Sequence, residues 1–317
     1  MNTSILSMTL IYVTYGEMGS AKNVFLILVL TIYLASVIAS GTVMLLIYMD
    51  TSLHKPMYIF LFSLIVNGII GSTAVWPKVM NILLTDNNTV SYVECLMQVF
   101  LIASYGACNY TMLTVMAYDR FVFIFKPLHY HTVMNPYRVK HLVLIGTLIP
   151  VMVIFAQICL TSRISLCRHT IQRAFCDNVS VLDLSCDNDN FSVVCNVLAI
   201  CAIFSFSVLP MFLVILSYLK IILIILKMSA DARMKTFATC SPHLIIFIVF
   251  SFASLFSTIY NRINPDVSVR EKVIRPFFLA TNYILIPPFI QPVVYGFKSK
   301  EIRRSFHKYR KRAILGF

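Results

Sequence analysis

The sequence predicts an all-α membrane protein, a seven-transmembrane helix bundle with a short amphipathic C-terminal helix. Hydrophobic residues make up 59% of the 317 positions and charged residues only 12%, whereas a typical soluble domain carries about 25% charged residues. Seven stretches approach the ~20 largely apolar residues that a helix needs to cross a hydrocarbon core. Basic residues are also distributed unevenly among the connections, as the positive-inside rule requires.

The seven predicted spans share low charge and sufficient length. They are residues 24–48, 57–84, 95–119, 139–160, 193–226, 236–260 and 273–296. Connections on the predicted inner side are short, and no internal repeat or soluble domain interrupts the series. We therefore expect one domain over residues 1–317, with an extracellular N-terminal segment 1–23, a helix bundle 24–296 and a cytoplasmic tail 297–317.

An odd number of spans places the two termini on opposite sides of the membrane, and the charges indicate which side is which. With the N-terminus outside, the inner segments hold 17 of the 26 basic residues and four of the 13 acidic residues. The whole net charge of +13 then lies on the cytoplasmic side. Beside a bilayer such a surface favours membrane lipid or an acidic protein as the partner, and we expect no nucleic acid.

The N-terminal segment has no basic region followed by an apolar core, so we expect no cleaved signal peptide and a first span that serves as the anchor. Asn2 begins an N-x-S/T triplet on the predicted outer side. It is a candidate glycosylation site.

Four cysteines lie on the predicted outer face. Cys95 opens the third span, and Cys167, Cys176 and Cys186 stand in the loop between the fourth and fifth spans. Four cysteines in an oxidising compartment indicate a disulfide framework, but their spacing leaves three pairings open. A bridge from the third span to this loop would hold the loop over the bundle.

Beyond the last span, residues 299–309 predict the amphipathic helix. Ile302, Phe306 and Tyr309 share one helical face, and basic residues occupy the opposite face. A helix of this kind lies on a membrane surface.

The most informative motif closes the third span, where Asp119 and Arg120 stand side by side within residues 116–121. Charges at the end of a membrane helix are retained only where they meet water, partners or a functional interface. Four further motifs follow the same order along the chain as those of one known family. They are residues 53–58 at the start of the second span, Ser217 and Tyr218 in the fifth, residues 235–244 at the foot of the sixth, and residues 287–296 at the end of the seventh.

Together these motifs resemble the odorant receptor branch of the rhodopsin-like G-protein-coupled receptors, over residues 50–306. The resemblance implies a receptor that binds a small-molecule odorant and activates a heterotrimeric G protein of the stimulatory, olfactory type. It also implies the plasma membrane, in sensory neuron cilia, as the location. It selects one disulfide pairing of the three, Cys95 with Cys176 and Cys167 with Cys186.

The resemblance further implies an activation switch at the inner end of the bundle. Arg120 is expected to be restrained by Asp119 at rest and to meet the G-protein tail when active. Tyr218 and Tyr295 would then close around it, and Pro292 marks the seventh helix nearby. An acidic partner at the foot of the sixth helix, present in some relatives, is missing from its usual place.

Three positions depart from the polar pattern of rhodopsin-like relatives. Ser40 and Gln291 stand where Asn is usual, and Gly68 stands where Asp is frequent. We therefore do not predict a sodium site, and we expect Asn67 and Asn109 to have a structural role, because buried amides need partners.

The predicted ligand pocket is an apolar cavity with a few hydroxyl groups, as small-molecule sites usually are. Helical spacing from Cys95 places Ile102, Ala103, Gly106 and Ala107 toward the interior of the bundle. By family position the wall is completed by Ala202, Ile203, Phe206, Ser251, Ser254, Leu255, Thr258, Thr281 and Ile284. Since none of these is charged, an amine ligand anchored here is not expected.

Two other classes of protein compete with this interpretation, besides a non-olfactory chemosensory receptor of the same fold. A transporter or channel usually shows inverted repeats or ionisable residues in mid-membrane, and neither is visible here. An enzyme is disfavoured because His129 and His131 stand together without a carboxylate or cysteine companion. We predict no metal site and no cofactor.

Overall fold

The computed structural model describes residues 8–17, 21–186, 190–263, 277–278 and 280–315. The long and short α-helices are α1 (Ala21–Met49), α2 (Pro56–Thr73), α3 (Trp76–Thr85), α4 (Tyr92–Phe125), α5 (Tyr130–Val133), α6 (Pro136–Thr161), α7 (Asn178–Asp183), α8 (Asn190–Ile203), α9 (Leu209–Ile225), α10 (Ala230–Ile263), α11 (Ile286–Lys298) and α12 (Lys300–Leu315). Single 3-10 turns span Thr14–Glu17, Thr51–Leu53 and Pro127–His129, and π-helical turns span Phe204–Val208 and Thr281–Leu285.

Six helical stretches among the described residues are long and apolar enough to cross a membrane. They are Lys22–Met49, Pro56–Thr85, Tyr92–Phe125, Pro136–Thr161, Phe191–Ile225 and Ala230–Ser257. They match the first six predicted spans to within six residues at each end. The seventh predicted span falls partly outside the described residues, and its described part forms the π-turn Thr281–Leu285 followed by α11.

Helix α4 forms the centre of the bundle. It packs against α2, α6 and α9, and its most apolar window is 67% buried, against 17% for α1 and α6. Its start is fixed by a capping box, in which the Ser91 side chain accepts from the Glu94 N–H and the Glu94 carboxylate accepts from the Ser91 N–H. With 34 residues α4 extends about 51 Å, so it reaches both ends of the bundle.

A small β-sheet, which the all-α prediction did not include, lies at the end of the bundle that carries the disulfides. Strand β1 (Thr9–Tyr12) pairs antiparallel with β2 (Thr89–Ser91) and parallel with β3 (Thr170–Ile171). Leu10 and Tyr12 point inward while Thr9 and Ile11 are exposed, the alternation of a half-buried strand. Residues 9–12 of the N-terminal segment therefore form part of the folded protein.

Helix α12 covers the residues for which the sequence predicts an amphipathic helix. One residue, Ser299, separates it from α11. Ile302 is buried, and the Tyr309 hydroxyl donates to the carbonyl of Met49 at 2.8 Å. Phe306 remains exposed on the predicted apolar face. The helix thus docks against the end of α1 at the bundle end opposite the disulfides.

Candidate functional site

Asp119 and Arg120 form a buried ion pair near the C-terminal end of α4, at what we call the Arg120 end of the bundle. Arg120 donates to Asp119 Oδ2 from Nε at 3.1 Å and from Nη2 at 2.6 Å. The Tyr130 hydroxyl donates to Asp119 Oδ1 at 2.7 Å, and burial, followed by the charge of Asp119, raises the pKa of Tyr130. Both carboxylate oxygens are therefore bonded, and Arg120 is held against its own helix.

The two tyrosines of the predicted switch are both buried near this pair. Tyr218 is 5% exposed and Tyr295 is fully buried, and both lie close enough to Arg120 to interact with its charge. The Tyr295 hydroxyl has no hydrogen-bond partner among the described residues. Pro292 lies one turn earlier on α11 and is buried as well.

His243 is a further candidate for the site that the sequence alone did not single out, although it belongs to the motif at residues 235–244. Its Nε2 lies 3.0 Å from the carbonyl of Leu113 on α4, and its Nδ1 lies 2.6 Å from the Tyr218 hydroxyl on α9. A carbonyl only accepts, so Nε2 carries the proton and Nδ1 accepts from Tyr218. The ring therefore ties α10 to both α4 and α9, beside the Arg120 pair.

The amides expected to have a structural role meet in mid-bundle. Gln291 Nε2 donates to Asn109 Oδ1 at 3.2 Å, and both Asn109 and Asn67 donate to the carbonyl of Tyr105. A Cβ on Gly68 would lie only 3.2 Å from Gln291 Oε1. The absence of a side chain at position 68 therefore makes room for the longer amide at position 291.

The predicted ligand-pocket residues fall largely on the interior of the bundle. Ile102, Gly106, Ala107, Ala202, Ser251 and Ile284 are buried, and Ala103, Phe206, Ser254 and Thr281 are half-buried. Five of the ten pack in a single apolar cluster drawn from α4, the α8–α9 region and the turn before α11, namely Ile102, Ala103, Ala202, Phe206 and Ile284.

Two pocket predictions are corrected by the structure. The side chains of Ile203 and Leu255 are 57% and 45% exposed, so neither faces the interior. Each follows an inward residue, Ala202 or Ser254, and one step along a helix rotates the side chain by about 100°. The Thr258 side chain and Asn2 lie outside the described residues.

Tyr283 fills space that the sequence reasoning had left to a ligand. Its hydroxyl lies over Gly106, where an added Cβ would overlap it. Tyr105 donates to the Tyr283 carbonyl at 3.3 Å, and the two rings and Phe250 form an aromatic cluster with centroids 5.8 to 5.9 Å apart. The missed signal was the glycine itself, because a glycine inside a helix often marks the close approach of another group.

Covalent bridges and polar contacts close the other end of the molecule, which we call the disulfide end. Cys95 is bonded to Cys176 and Cys167 to Cys186, the pairing that the resemblance implies. Gln98 Oε1 accepts from the Cys176 N–H at 2.7 Å and from the Tyr12 hydroxyl at 3.3 Å. Burial raises the pKa of Tyr12, so this hydroxyl stays protonated and can donate.

Similarity to known proteins shows the family to which this chain belongs. A model of the olfactory receptor family matches residues 29–311. The chain is 34% identical to human olfactory receptor 6N1 over 292 residues, 90% of this chain and 89% of that protein. It is 31% identical to human olfactory receptor 10H4 over 300 residues, covering 91% and 90% of the two chains, and 29% identical to rat olfactory receptor 1, covering 90% and 89%. The chain belongs to the olfactory receptor family.

Membership in the olfactory receptor family settles several of the expectations above. The chain is a multi-pass membrane protein that acts as an odorant receptor, and its family couples odorant ligands to G proteins rather than catalysing a reaction. As an olfactory receptor it needs two working regions, one for the odorant and one for the G protein. The apolar cluster around Ile102 and the buried Arg120 pair are the two candidates.

Proposed function

We propose that an odorant binds in the apolar cluster around Ile102 and Ala103 and that binding there releases the Arg120 end to activate a stimulatory G protein of the olfactory type. The observation that carries this proposal is that α4 contributes to both regions. Ala103 and Arg120 are 17 residues apart on one continuous helix, about 26 Å. Because Ser251 of the predicted pocket and His243 beside the Arg120 pair both lie on α10, a change in the packing of α10 against α4 would connect the two regions.

The proposal includes a seven-span topology with the N-terminus outside. Disulfides form in oxidising compartments, which favours an extracellular disulfide end. Basic residues concentrate in the connections at the Arg120 end and in α12, which favours the cytoplasm for that end. The seventh span would comprise the π-turn and α11, with the receptor in the plasma membrane of sensory cilia. Asn2 would then be extracellular and available for glycosylation.

The lining of the proposed pocket indicates the chemistry of the odorant. Its described side chains are apolar or carry hydroxyl groups, with Ser254 and Thr281 half-buried and the Tyr283 ring at the interior. A charged ligand would lose its hydration without gaining a counter-ion there. We therefore expect small neutral molecules with at most a few hydrogen-bonding atoms.

In the proposed mechanism the odorant favours an arrangement in which α10 moves away from α4 at the Arg120 end. The bonds from His243 to Leu113 and to Tyr218 must then break, at a net cost of about 1 kcal/mol each. A ligand can supply this only through its differential affinity for the two arrangements. Arg120 then leaves Asp119 and meets the G-protein tail, and Tyr218 and Tyr295 close around it.

Substitution of Arg120 tests the mechanism. Cyclic-AMP responses to a panel of acids, alcohols and aldehydes first identify an agonist for the wild-type receptor. Arg120→Ala should abolish the response to that agonist while the receptor remains at the cell surface, as measured with an antibody to an N-terminal tag. Arg138→Ala, at an exposed arginine in the first turn of α6, is the matched control and should respond normally. An undiminished response from Arg120→Ala at equal surface level would contradict the proposal.

A further inference from the structure

A groove opens on the outer side of α10, close to the Arg120 end of the bundle. Its volume is about 420 Å³, and its wall consists mainly of apolar side chains, including Met234, Phe237, Ile245 and Ile248. Met234, Phe237 and Ile248 are 70%, 57% and 55% exposed, so this wall faces outward from the bundle. In a membrane this outward-facing wall is surrounded by lipid.

One cation stands in this lining, whose other residues are apolar except for Ser241. Lys298, the last residue of α11, contributes to the groove and is exposed. The neighbouring chain is also cationic, because residues 227–235 and 298–304 together hold seven basic and two acidic residues. An anion at the mouth of the groove would therefore meet favourable charge, whereas a second cation would be repelled.

The dimensions of the groove fit one leaflet of a bilayer. Its α10 residues run from Met234 to Ile248, a separation of 14 positions or about 21 Å along the helix. Half of a hydrocarbon core is about 15 Å thick. An acyl chain that enters at Lys298 would therefore reach approximately the middle of the membrane along this wall.

We propose that this groove binds an anionic phospholipid of the cytoplasmic leaflet, with one acyl chain against Phe237 and Ile245 and the phosphate at Lys298. The inference rests on the proposed cytoplasmic position of the Arg120 end, since only there does the mouth of the groove meet headgroups of the inner leaflet. It does not depend on which odorant the receptor binds. A lipid in this position touches the face of α10 that borders α11, and α10 is the helix that the proposed mechanism moves away from α4.

Native mass spectrometry of the purified full-length receptor tests the proposal directly. The receptor is presented with phosphatidylglycerol or phosphatidylcholine of identical acyl chains, without odorant or G protein. Phosphatidylglycerol should bind in preference to phosphatidylcholine, and Lys298→Gln should lower its occupancy about fivefold, the effect of one basic residue at an anionic surface. Ala238→Trp, which adds an indole ring to the exposed groove wall, should displace the lipid whatever its headgroup.

Two control variants carry the same changes outside the groove. Lys140→Gln removes an exposed lysine near the start of α6, and Ala156→Trp adds an indole ring to the exposed face of α6. Both should bind the lipid like the wild type. A phospholipid with a diazirine on its acyl chain should also crosslink to the peptide containing residues 234–248, a readout that requires no variant.

Several outcomes would overturn the proposal. Equal binding of the two lipids, equal losses in Lys298→Gln and Lys140→Gln, or crosslinks spread over all helices would each indicate only an unspecific lipid shell. A dimer that Ala238→Trp converts to monomer without a change in bound lipid would show that a second copy covers the groove. Because the measurement contains neither odorant nor G protein, any of these results leaves the proposed odorant response standing.

Discussion

The two ends of this olfactory receptor are held together by different kinds of interaction. The disulfide end has two covalent bridges and a three-stranded sheet that includes the N-terminal strand. The buried Gln98 accepts hydrogen bonds from Cys176 of one bridge and from Tyr12 of the sheet. The Arg120 end, in contrast, is held by individual side-chain bonds, from Asp119 to Arg120 and from His243 to its two neighbours.

This difference teaches which end is able to switch. Opening the disulfide end would require reduction of a bridge and separation of the sheet. In contrast, two hydrogen bonds hold α10 at His243, and breaking both costs about 2 kcal/mol. Elements that move in signalling are drawn from the less stable parts of a structure. We therefore expect substitutions at the disulfide end to affect folding and those at the Arg120 end to affect signalling.

The largest effect is expected from Cys95→Ser. The bridge to Cys176 spans 81 residues, and a loop of this length restricts the unfolded chain by roughly 4 to 5 kcal/mol in the chain-entropy model. The variant should be retained inside the cell, which flow cytometry of surface and total receptor would measure. Cys167→Ser, which opens a loop of 19 residues, should lower the free energy of unfolding by less, about 3 kcal/mol.

Cys159→Ser is the control for these variants, because Cys159 is an exposed free thiol. It should reach the surface like the wild type. If Cys95→Ser were as abundant at the surface as Cys159→Ser, the disulfide end would not be the rigid region described above.

Gly106→Ala tests whether this rigidity continues down to the proposed pocket. The added methyl group overlaps the Tyr283 hydroxyl, and overpacking of this kind typically costs 1–3 kcal/mol. The melting temperature of the purified receptor should fall, and odorant potency should fall with it. Combining the change with Tyr283→Phe should restore much of both.

Gly41→Ala provides the comparison, because nothing lies within 4 Å of a Cβ at that position of α1. There the change should stabilise the helix by up to about 1 kcal/mol, the difference in helix propensity between the two residues. Equal melting temperatures for the two glycine variants would show that Tyr283 moves aside freely.

Tyr218→Phe should affect signalling and leave folding nearly intact. Loss of the bond to His243 weakens the attachment of α10 by about 1 kcal/mol. Basal cyclic-AMP production without odorant should rise up to about fivefold. The control is Tyr309→Phe, which removes the α12 hydroxyl that donates to the Met49 carbonyl at the end of α1. It should leave basal production unchanged. A basal level that is the same in both variants would mean that the bond between Tyr218 and His243 does not restrain α10.

The smallest effect is expected from Asp50→Asn, in the attachment of α12. The carboxylate of Asp50 accepts from the Ser52 N–H at 3.2 Å and from Lys308 at 3.4 Å. The Ser305 hydroxyl, first among several causes, lowers its pKa to about 2. Because the pKa of Asp50 is lowered in the folded state, its carboxylate contributes fully to stability above the ordinary aspartate pKa of about 3.9. This contribution to stability is lost as the pH falls from there toward 2.

At neutral pH amide hydrogen exchange should therefore report the full effect of Asp50→Asn, as a modest acceleration over residues 303–311. The Lys308 side chain is 45% exposed and its contact with Asp50 is long, at 3.4 Å, so we expect this ion pair to contribute at most about 1 kcal/mol. Asp231→Asn, at an exposed position in the first turn of α10, should leave exchange in α12 unchanged. Equal exchange in both variants would mean that Ile302 and Tyr309 hold α12 without help from Asp50.

The sequence was most informative where the free energy is local. The positions of α1, α6 and α10 follow from apolar length, because each span depends mainly on the transfer of its own residues into lipid. The two disulfide pairings came from the resemblance and not from spacing, which left three possibilities. The ends of the helices were less certain, and α4 extends six residues beyond the predicted span at residues 95–119.

The sequence reasoning failed where a contact joins distant segments. Strand β1 has only four residues, and it forms because β2 and β3 lie on either side of it. Ile203 and Leu255 were placed on the interior by family position, but each lies one residue, or about 100°, away from a residue that does face inward. An apolar helix gives little sign of which face meets protein and which meets lipid, since both are apolar.

By itself, then, the sequence determined that this chain lies in a membrane, which of its ends is cationic and which family its ordered motifs match. These follow from composition and local order, which do not depend on how the helices pack. Only the tertiary structure decided that Tyr283 lies over Gly106, that Gln291 uses the space left by Gly68, and that His243 ties α10 to α4 and α9. Each of these joins residues on different helices, and their geometry exists only after the helices have packed.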